Sequence, residues 1–165
     1  MIRRQYPNVA GLNDTLLMSN DFELPNQPYP ESVLQIHHLS AEHWITSTEV
    51  NNAIAVYDSL SFSLTDDLKR QLINVYNYLG TDSGLTISMM PCARQKGVKD
   101  CGLFAIAFMT DLAHGHHPEN RHYDQDVMRA HLHDCFASEI LSQFPGQSVV
   151  CDSPPIYEHI YPLKI

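Results

Sequence analysis

Positive charge is scarce in this chain: ten lysines and arginines stand against nineteen acidic residues, for a formal net charge of −9. No Lys/Arg cluster offsets that balance locally, which excludes a nucleic-acid phosphate backbone as partner. Glycine is also scarce, with seven in 165 residues, while hydrophobic residues make up 44% and charged residues 18%. Fibrous and disordered classes are therefore excluded, and the length suits one domain, 1–165, with a core of its own. No apolar run approaches the ~20 residues of a membrane-spanning helix, so no membrane is expected as a partner. The opening "MIRR" is not followed by an apolar signal region, so no secretory signal is expected either. Cysteines are few, at positions 92, 101, 135 and 151. Without a secretory signal they are expected to be reduced, in an intracellular setting, cytoplasmic or nuclear.

What the chain does have is alternation of helical and strand-like material, without repeats. "ELPNQPYPES" (23–32) carries three prolines and reads as a loop, followed by the strand-like "SVLQIHHLS". "HWITST" (43–48) and "AIAVYDSL" (53–60) are rich in β-branched and aromatic residues and predict a hairpin across the polar "EVNN". "LTDDLKRQLINVYNYLG" (64–80) predicts an amphipathic helix with Leu68, Leu72, Val75, Tyr76 and Leu79 on one face and Gly80 as its stop. "LTISMM" (85–90) predicts a short strand, Cys101 opens a helix to about Leu112, and a last helix is expected over about 124–143. That last helix carries Val127, Leu132, Phe136 and Ile140 and is expected to stop at "PG" (145–146). The order predicts an α+β domain with a small, mainly antiparallel sheet and helices around it.

The position of Cys101 carries the first chemical signal. In "KDCGLFAIAF" the thiol stands at the first turn of an apolar helix rather than inside it. There, unpaired backbone N–H groups and the positive end of the helix dipole favour a thiolate, the form in which a cysteine attacks. Gly102 beside it lets a substrate backbone approach closely. A nucleophile needs a base, an orienter for that base and an oxyanion donor. His43, at the start of one strand of the hairpin, and Asp58, at the end of the other, are brought together by that pairing. Gln95, six residues before Cys101, can carry its amide into the same cleft from the loop that feeds the nucleophile helix.

Ten histidines raise a competing metal reading. "HGHH" (114–117) with His122, and "HLHDC" (131–135), place imidazoles close together, and His131 and Cys135 are four apart on a helix. No paired C-x2-C or H-x3-H set completes a four-ligand site. A solvated loop and a polar helix face are expected there, with no metal and no cofactor.

The joint pattern resembles the ubiquitin-like protease family, the SUMO-deconjugating cysteine peptidases and their relatives. "HWITSTEVNNAIAVYDSL" and "QKGVKDCGLF" stand where the family has its His-Trp, Asp-Ser and Asp-Cys-Gly segments, with 15 residues from His43 to Asp58 and six from Gln95 to Cys101. The chain order His, Asp, Gln, Cys also agrees, whereas papain-type enzymes run the other way. "GLNDTLLM" (11–18) is similar to the family's "WLND" opening, so the resemblance spans about residues 11–144. It implies a papain-like cysteine protease fold of the ubiquitin-like protease type, with the nucleophile at a helix N-terminus. By that resemblance Cys101 is nucleophile, His43 is general base and acid, Asp58 holds the imidazole, and Gln95 with the Cys101 N–H binds the oxyanion. Trp44 covers the Gly-Gly tail of the modifier, and Gly11 and Asp14 fall in the substrate-binding opening. The implied reaction is cleavage of the amide or isopeptide bond after the C-terminal Gly-Gly of ubiquitin or a ubiquitin-like modifier. The implied partners are that modifier and its protein conjugates, met by a monomer.

Two departures stand out. Gly11 replaces the family's opening tryptophan, one wall of its Gly-Gly tunnel, and Gly97-Val98 replaces the usual Asn-Gly ahead of the cysteine. A missing wall and an acidic surface together lean the expected modifier toward ubiquitin, whose tail bears an arginine, over SUMO. Two other readings remain beside the peptidase. One is a clan-related acetyltransferase effector, which normally presents glutamate where Asp58 stands and would act in a host cytosol. The other is a catalytically inactive module that binds the modifier.

Overall fold

The computed structural model describes residues 1–15, 32–40, 42–60, 63–79 and 84–160. The proline-rich loop before Ser32, the end of "GLNDTLLM" and the expected helix stop at Gly80 lie outside the described residues.

The hairpin forms as the sequence predicts. β3 (His43–Val50) and β4 (Ala53–Tyr57) pair antiparallel from Thr46↔Tyr57 to Val50↔Ala53. Asn51 and Asn52 make the turn, both with positive φ (52° and 61°). A two-residue turn with both residues left-handed matches the twist of the flanking strands, and asparagine tolerates that conformation. β3 therefore runs through Glu49 and Val50, which sequence reading placed in the connection.

Around the hairpin, β1 (Val9–Gly11), β2 (Ser32–Leu39), β5 (Leu85–Met90) and β8 (Ile156–Ile160) complete a six-stranded sheet in the order β1-β2-β3-β4-β5-β8. β1 and β2 pair parallel, as do β4 and β5, and the other three pairings are antiparallel. β6 (Arg121–Tyr123) and β7 (Gly146–Ser148) form a separate two-stranded ribbon. Sequence reading found β2 to β5 and missed the rest. Strands of three residues carry no measurable periodicity, and Ile156 and Tyr157 of β8 are exposed, so no apolar alternation marks that edge.

Among the described residues the α-helices of four residues or more are α1 (Ile2–Gln5), α2 (Asp66–Tyr76), α3 (Cys101–Ala113) and α4 (Gln125–Ser138). Period-two alternation sends the two faces of the sheet to different cores. Val33, Ile54 and Val56 pack with Leu68, Leu72 and Tyr76 of α2. Leu34, Ala55 and Tyr57 pack with Leu103, Phe104, Ala107 and Phe108 of α3, joined by Met128 and Cys135 of α4. The Thr65 hydroxyl caps α2 by accepting the Leu68 N–H at 3.2 Å. α3 is buried on most of its circumference because the sheet lies on one side of it and α4 on the other.

α4 is shorter than the sequence predicts, and most of the apolar residues noted on it face outward. Val127, Phe136 and Ile140 are exposed, and the buried residues are Met128 and Cys135. Nine residues make two and a half turns, so Val127 and Phe136 stand on opposite sides of a helix. Met128, Leu132 and Cys135 share a face. The helix ends at Ser138, with Glu139 left-handed (φ 56°), several residues before the Pro-Gly that was expected to stop it.

Candidate active site

Three elements meet at the open edge of the hairpin. β3 brings His43, the end of β4 brings Asp58 and Ser59, and α3 begins with Cys101. The helix is fixed against β3 by the fully buried Thr46, whose hydroxyl donates to the Ala105 carbonyl at 2.7 Å. This bond sits three residues from His43 and four from Cys101, so it sets their separation.

His43 and Asp58 are both buried, and His43 Nε2 lies 2.7 Å from Asp58 Oδ1. The same carboxylate oxygen accepts the Leu60 N–H at 2.8 Å, which fixes the aspartate's rotamer. With Nε2 committed to Asp58, Nδ1 is the ring nitrogen that can serve a thiol. Cys101 Sγ lies 3.9 Å from the carbonyl of Glu42, the residue immediately before His43. Glu42 itself adopts a left-handed backbone (φ 52°), a conformation rare for glutamate that occurs here beside the thiol.

Gln95 is buried beside them. Its Oε1 accepts the Ser59 hydroxyl at 2.6 Å, and its Nε2 donates to the Gly97 carbonyl at 3.0 Å. An amide nitrogen has two protons, so one donor is left for a developing anion. Ser59 is a residue that sequence reasoning missed, although its place directly after Asp58 was a usable signal. A second thiol, Cys92, donates to the Asp58 carbonyl at 3.4 Å, and burial pushes it up to about 12, which makes it a poor nucleophile.

Trp44 stacks on His38 with ring centroids 4.3 Å apart and covers Gly102, where an added Cβ would stand 3.6 Å from the indole. Two cavities meet under this ring and share Trp44, Gly102 and Ile106 as lining. One, about 400 Å³, is apolar and continues along Leu12, Ile36 and Met109. The other, about 460 Å³, holds Cys101 with Glu42, Val98, Lys99 and Arg129.

Gly11 lies in β1 with φ 82°, and a Cβ there would come 2.2 Å from the Leu34 carbonyl oxygen. Its place is a close backbone approach between β1 and β2, and the next residue, Leu12, lines the apolar cavity. Asn13 exchanges hydrogen bonds with the buried Gln35: its N–H donates to Gln35 Oε1 at 2.9 Å, and Gln35 Nε2 donates back to its carbonyl at 3.2 Å. Asp14, just beyond, is exposed. Leu12, Asn13 and Gln35 were not singled out from the sequence, and nothing local distinguishes Gln35 from any strand glutamine.

No histidine of the two histidine-rich segments lines either cavity. His131 and Cys135 do share a face of α4, at 3.5 Å, but their common neighbour is Ser142. Among the described residues no group of three or more His, Cys, Asp or Glu side chains could hold a metal ion. Among them, too, no helix is long and apolar enough to cross a membrane.

No protein-family model and no curated protein matches the sequence. Solved structures do match the fold. The SUMO protease Ulp1 with its catalytic cysteine oxidised to a sulfenic acid superposes with a TM-score of 0.60 at 14% identity, over 84% of this chain and 72% of that one. The C-terminal Ulp1 protease domain in complex with Smt3, the yeast ortholog of SUMO, superposes with a TM-score of 0.53 at 14% identity, over 77% of this chain and 66% of that one. The chain has the α+β fold of the Ulp1 protease domain.

Proposed function

We propose that this protein is a cysteine peptidase that releases ubiquitin or a SUMO-type modifier by cleaving after its C-terminal Gly-Gly. The observation that carries the reading is the buried His43–Asp58 pair at 2.7 Å beside a cysteine at the first position of α3. The Ulp1-type fold supports the same reading.

In this reading His43 Nδ1 takes the Cys101 thiol proton while Asp58 holds the imidazole through Nε2 and stabilises its positive charge. The sulfur bonds to the carbonyl carbon of the second glycine. The resulting oxyanion is met by the Cys101 N–H and the remaining Gln95 amide proton. The C–N bond then breaks as the imidazolium protonates the leaving amine, and water, deprotonated by His43, hydrolyses the thioester. Trp44, which closes over Gly102 and lines both cavities, would lie against the glycine tail where the two cavities meet. Asp14, exposed two residues beyond the groove-lining Leu12, is the charged group that would meet the modifier there in this reading. The case for ubiquitin over SUMO from a missing wall at Gly11 weakens, because Leu12 supplies a wall. The acidic net charge is what remains of it.

The test is labelling by C-terminal electrophile probes of ubiquitin and of SUMO, read by intact mass at low and moderate salt. An adduct on the wild type that is lost in Cys101→Ala is expected. Labelling that persists in Cys101→Ala, or moves to another cysteine, overturns the assignment. A ubiquitin preference driven by surface charge would fade with salt.

A further inference from the structure

An aspartate that precedes a helix ordinarily turns its carboxylate inward and accepts an N–H of the first turn. The nucleophile helix departs from this rule. Asp100 is the N-cap of α3, yet its side chain makes no cap hydrogen bond. The carboxylate turns outward to α4 instead. Gln125 Nε2 donates to its Oδ2 at 2.6 Å, and the Arg129 guanidinium pairs with its Oδ1.

Gln125 holds more than Asp100. Its Oε1 accepts the Lys96 N–H at 2.7 Å, and its second amide proton goes to the Lys96 carbonyl at 3.0 Å. Both amide protons and the oxygen are thus spent on the segment joining Gln95 to Cys101. Beyond the Gln95 bond to the Gly97 carbonyl that segment has little to hold it: residues 96–99 are exposed, and a Cβ on Gly97 (φ 74°) would meet nothing within 4 Å.

We propose that Gln125 and Arg129 are positioning residues for the nucleophile: by drawing the Asp100 carboxylate outward they keep the first-turn N–H groups of α3 uncapped and available to the anion formed at Cys101. The inference rests on the cysteine-peptidase reading. Its physical content is a competition between acceptors. A carboxylate free to swing inward would occupy the donors that stabilise the thiolate and would bring a negative charge toward it. Arg129 opposes that swing by ion pairing, and Gln125 by a charge-assisted hydrogen bond.

The experiment is an epistasis test. Gln125→Met removes all three hydrogen bonds at nearly constant length. Alkylation of Cys101 by iodoacetamide, followed by intact mass, needs no modifier; kcat and KM are measured on whichever fluorogenic tail the wild type turns over. Alkylation and kcat are expected to fall roughly tenfold, the order carried by one hydrogen bond to a charged group, with KM little changed. Asp100→Ala added to Gln125→Met should then restore most of the lost rate, because the competing carboxylate is gone. A merely structural role predicts that the double variant is worse. If Gln125→Met melts early, Arg129→Met, at a largely exposed side chain, tests the same point and should slow alkylation in the same sense. An unchanged alkylation rate in the single variant, or a double variant slower than the single, overturns the proposal. A wild type that no modifier probe labels would overturn the peptidase reading, while the alkylation arm would still judge the positioning.

Discussion

The Ser59 hydroxyl donates to Gln95 Oε1 at 2.6 Å, and the Ser59 carbonyl accepts the Gln95 backbone N–H at 3.2 Å. Because Ser59 follows Asp58, one dipeptide holds both the candidate orienter of His43 and the candidate oxyanion donor. The hydroxyl also decides which end of the Gln95 amide faces the cleft, since an amide can present either its donor or its acceptor. Ser59→Ala is expected to keep the fold and lower kcat by roughly tenfold, part of the 10²–10³ that an intact donor carries. Ser59→Thr, which retains the hydroxyl, should recover much of that rate. Equal rates in wild type and Ser59→Ala would mean that Gly97 alone orients the amide.

Thr46 and Ala105 join the strand that carries His43 to the helix that begins with Cys101 across a fully buried contact. Thr46→Val is close in shape and removes only the hydroxyl. Stability measured by urea unfolding should drop by about 1 kcal/mol, the net worth of one hydrogen bond. Activity should drop further than that loss implies, because the bond sets the separation of His43 and Cys101. A variant with altered stability and intact kcat would show that β3 and α3 hold their spacing by packing alone.

Gly11 and Leu12 make opposite predictions. Gly11→Ala forces a Cβ toward the Leu34 carbonyl at a left-handed backbone position and should cost more than about 2 kcal/mol of stability. Leu12→Ala removes apolar lining from the groove and should raise KM for a modifier tail with less effect on melting. If Gly11→Ala melts like wild type and changes KM, then Gly11 faces the groove after all.

His37 predicts a pH dependence of stability that is independent of catalysis. It is fully buried between β3 and α2, with Nε2 2.7 Å from the Ser47 hydroxyl and Nδ1 3.1 Å from Gln71 Oε1. Burial lowers it to about 4, against smaller opposing effects of Gln71 and the nearby Asp67. Between its unfolded value near 6.5 and about 4, the unfolded chain binds a proton that the folded chain refuses. The stability is therefore complete above pH 6.5 and is lost as pH falls toward 4, by roughly 3 kcal/mol over that window. Urea unfolding at stepped pH should show the slope for this residue, and His37→Gln should flatten it. A slope unchanged by that substitution would assign it to other groups.

Much of the candidate site was legible in the sequence because it depends on local pairing. A hairpin with a two-residue turn brings the start of one strand to the end of the next, so His43 and Asp58, 15 residues apart, were bound to approach. Cys101 before an apolar run likewise announces a helix start. Tertiary structure alone decided the contacts between elements that no period or turn connects. Gln95 meets Ser59 over 36 residues, Asp100 meets Gln125 over 25, and Thr46 meets Ala105 over 59. The inward face of α4 was not legible for a related reason: its apolar residues surround the helix, and packing against α3 and the 141–144 segment selects Met128 and Cys135 over Val127 and Phe136. Gly11 shows the same division. The sequence by itself determined that a side chain is missing there, and only the approach of β2 decided that the space belongs to the Leu34 carbonyl rather than to a substrate.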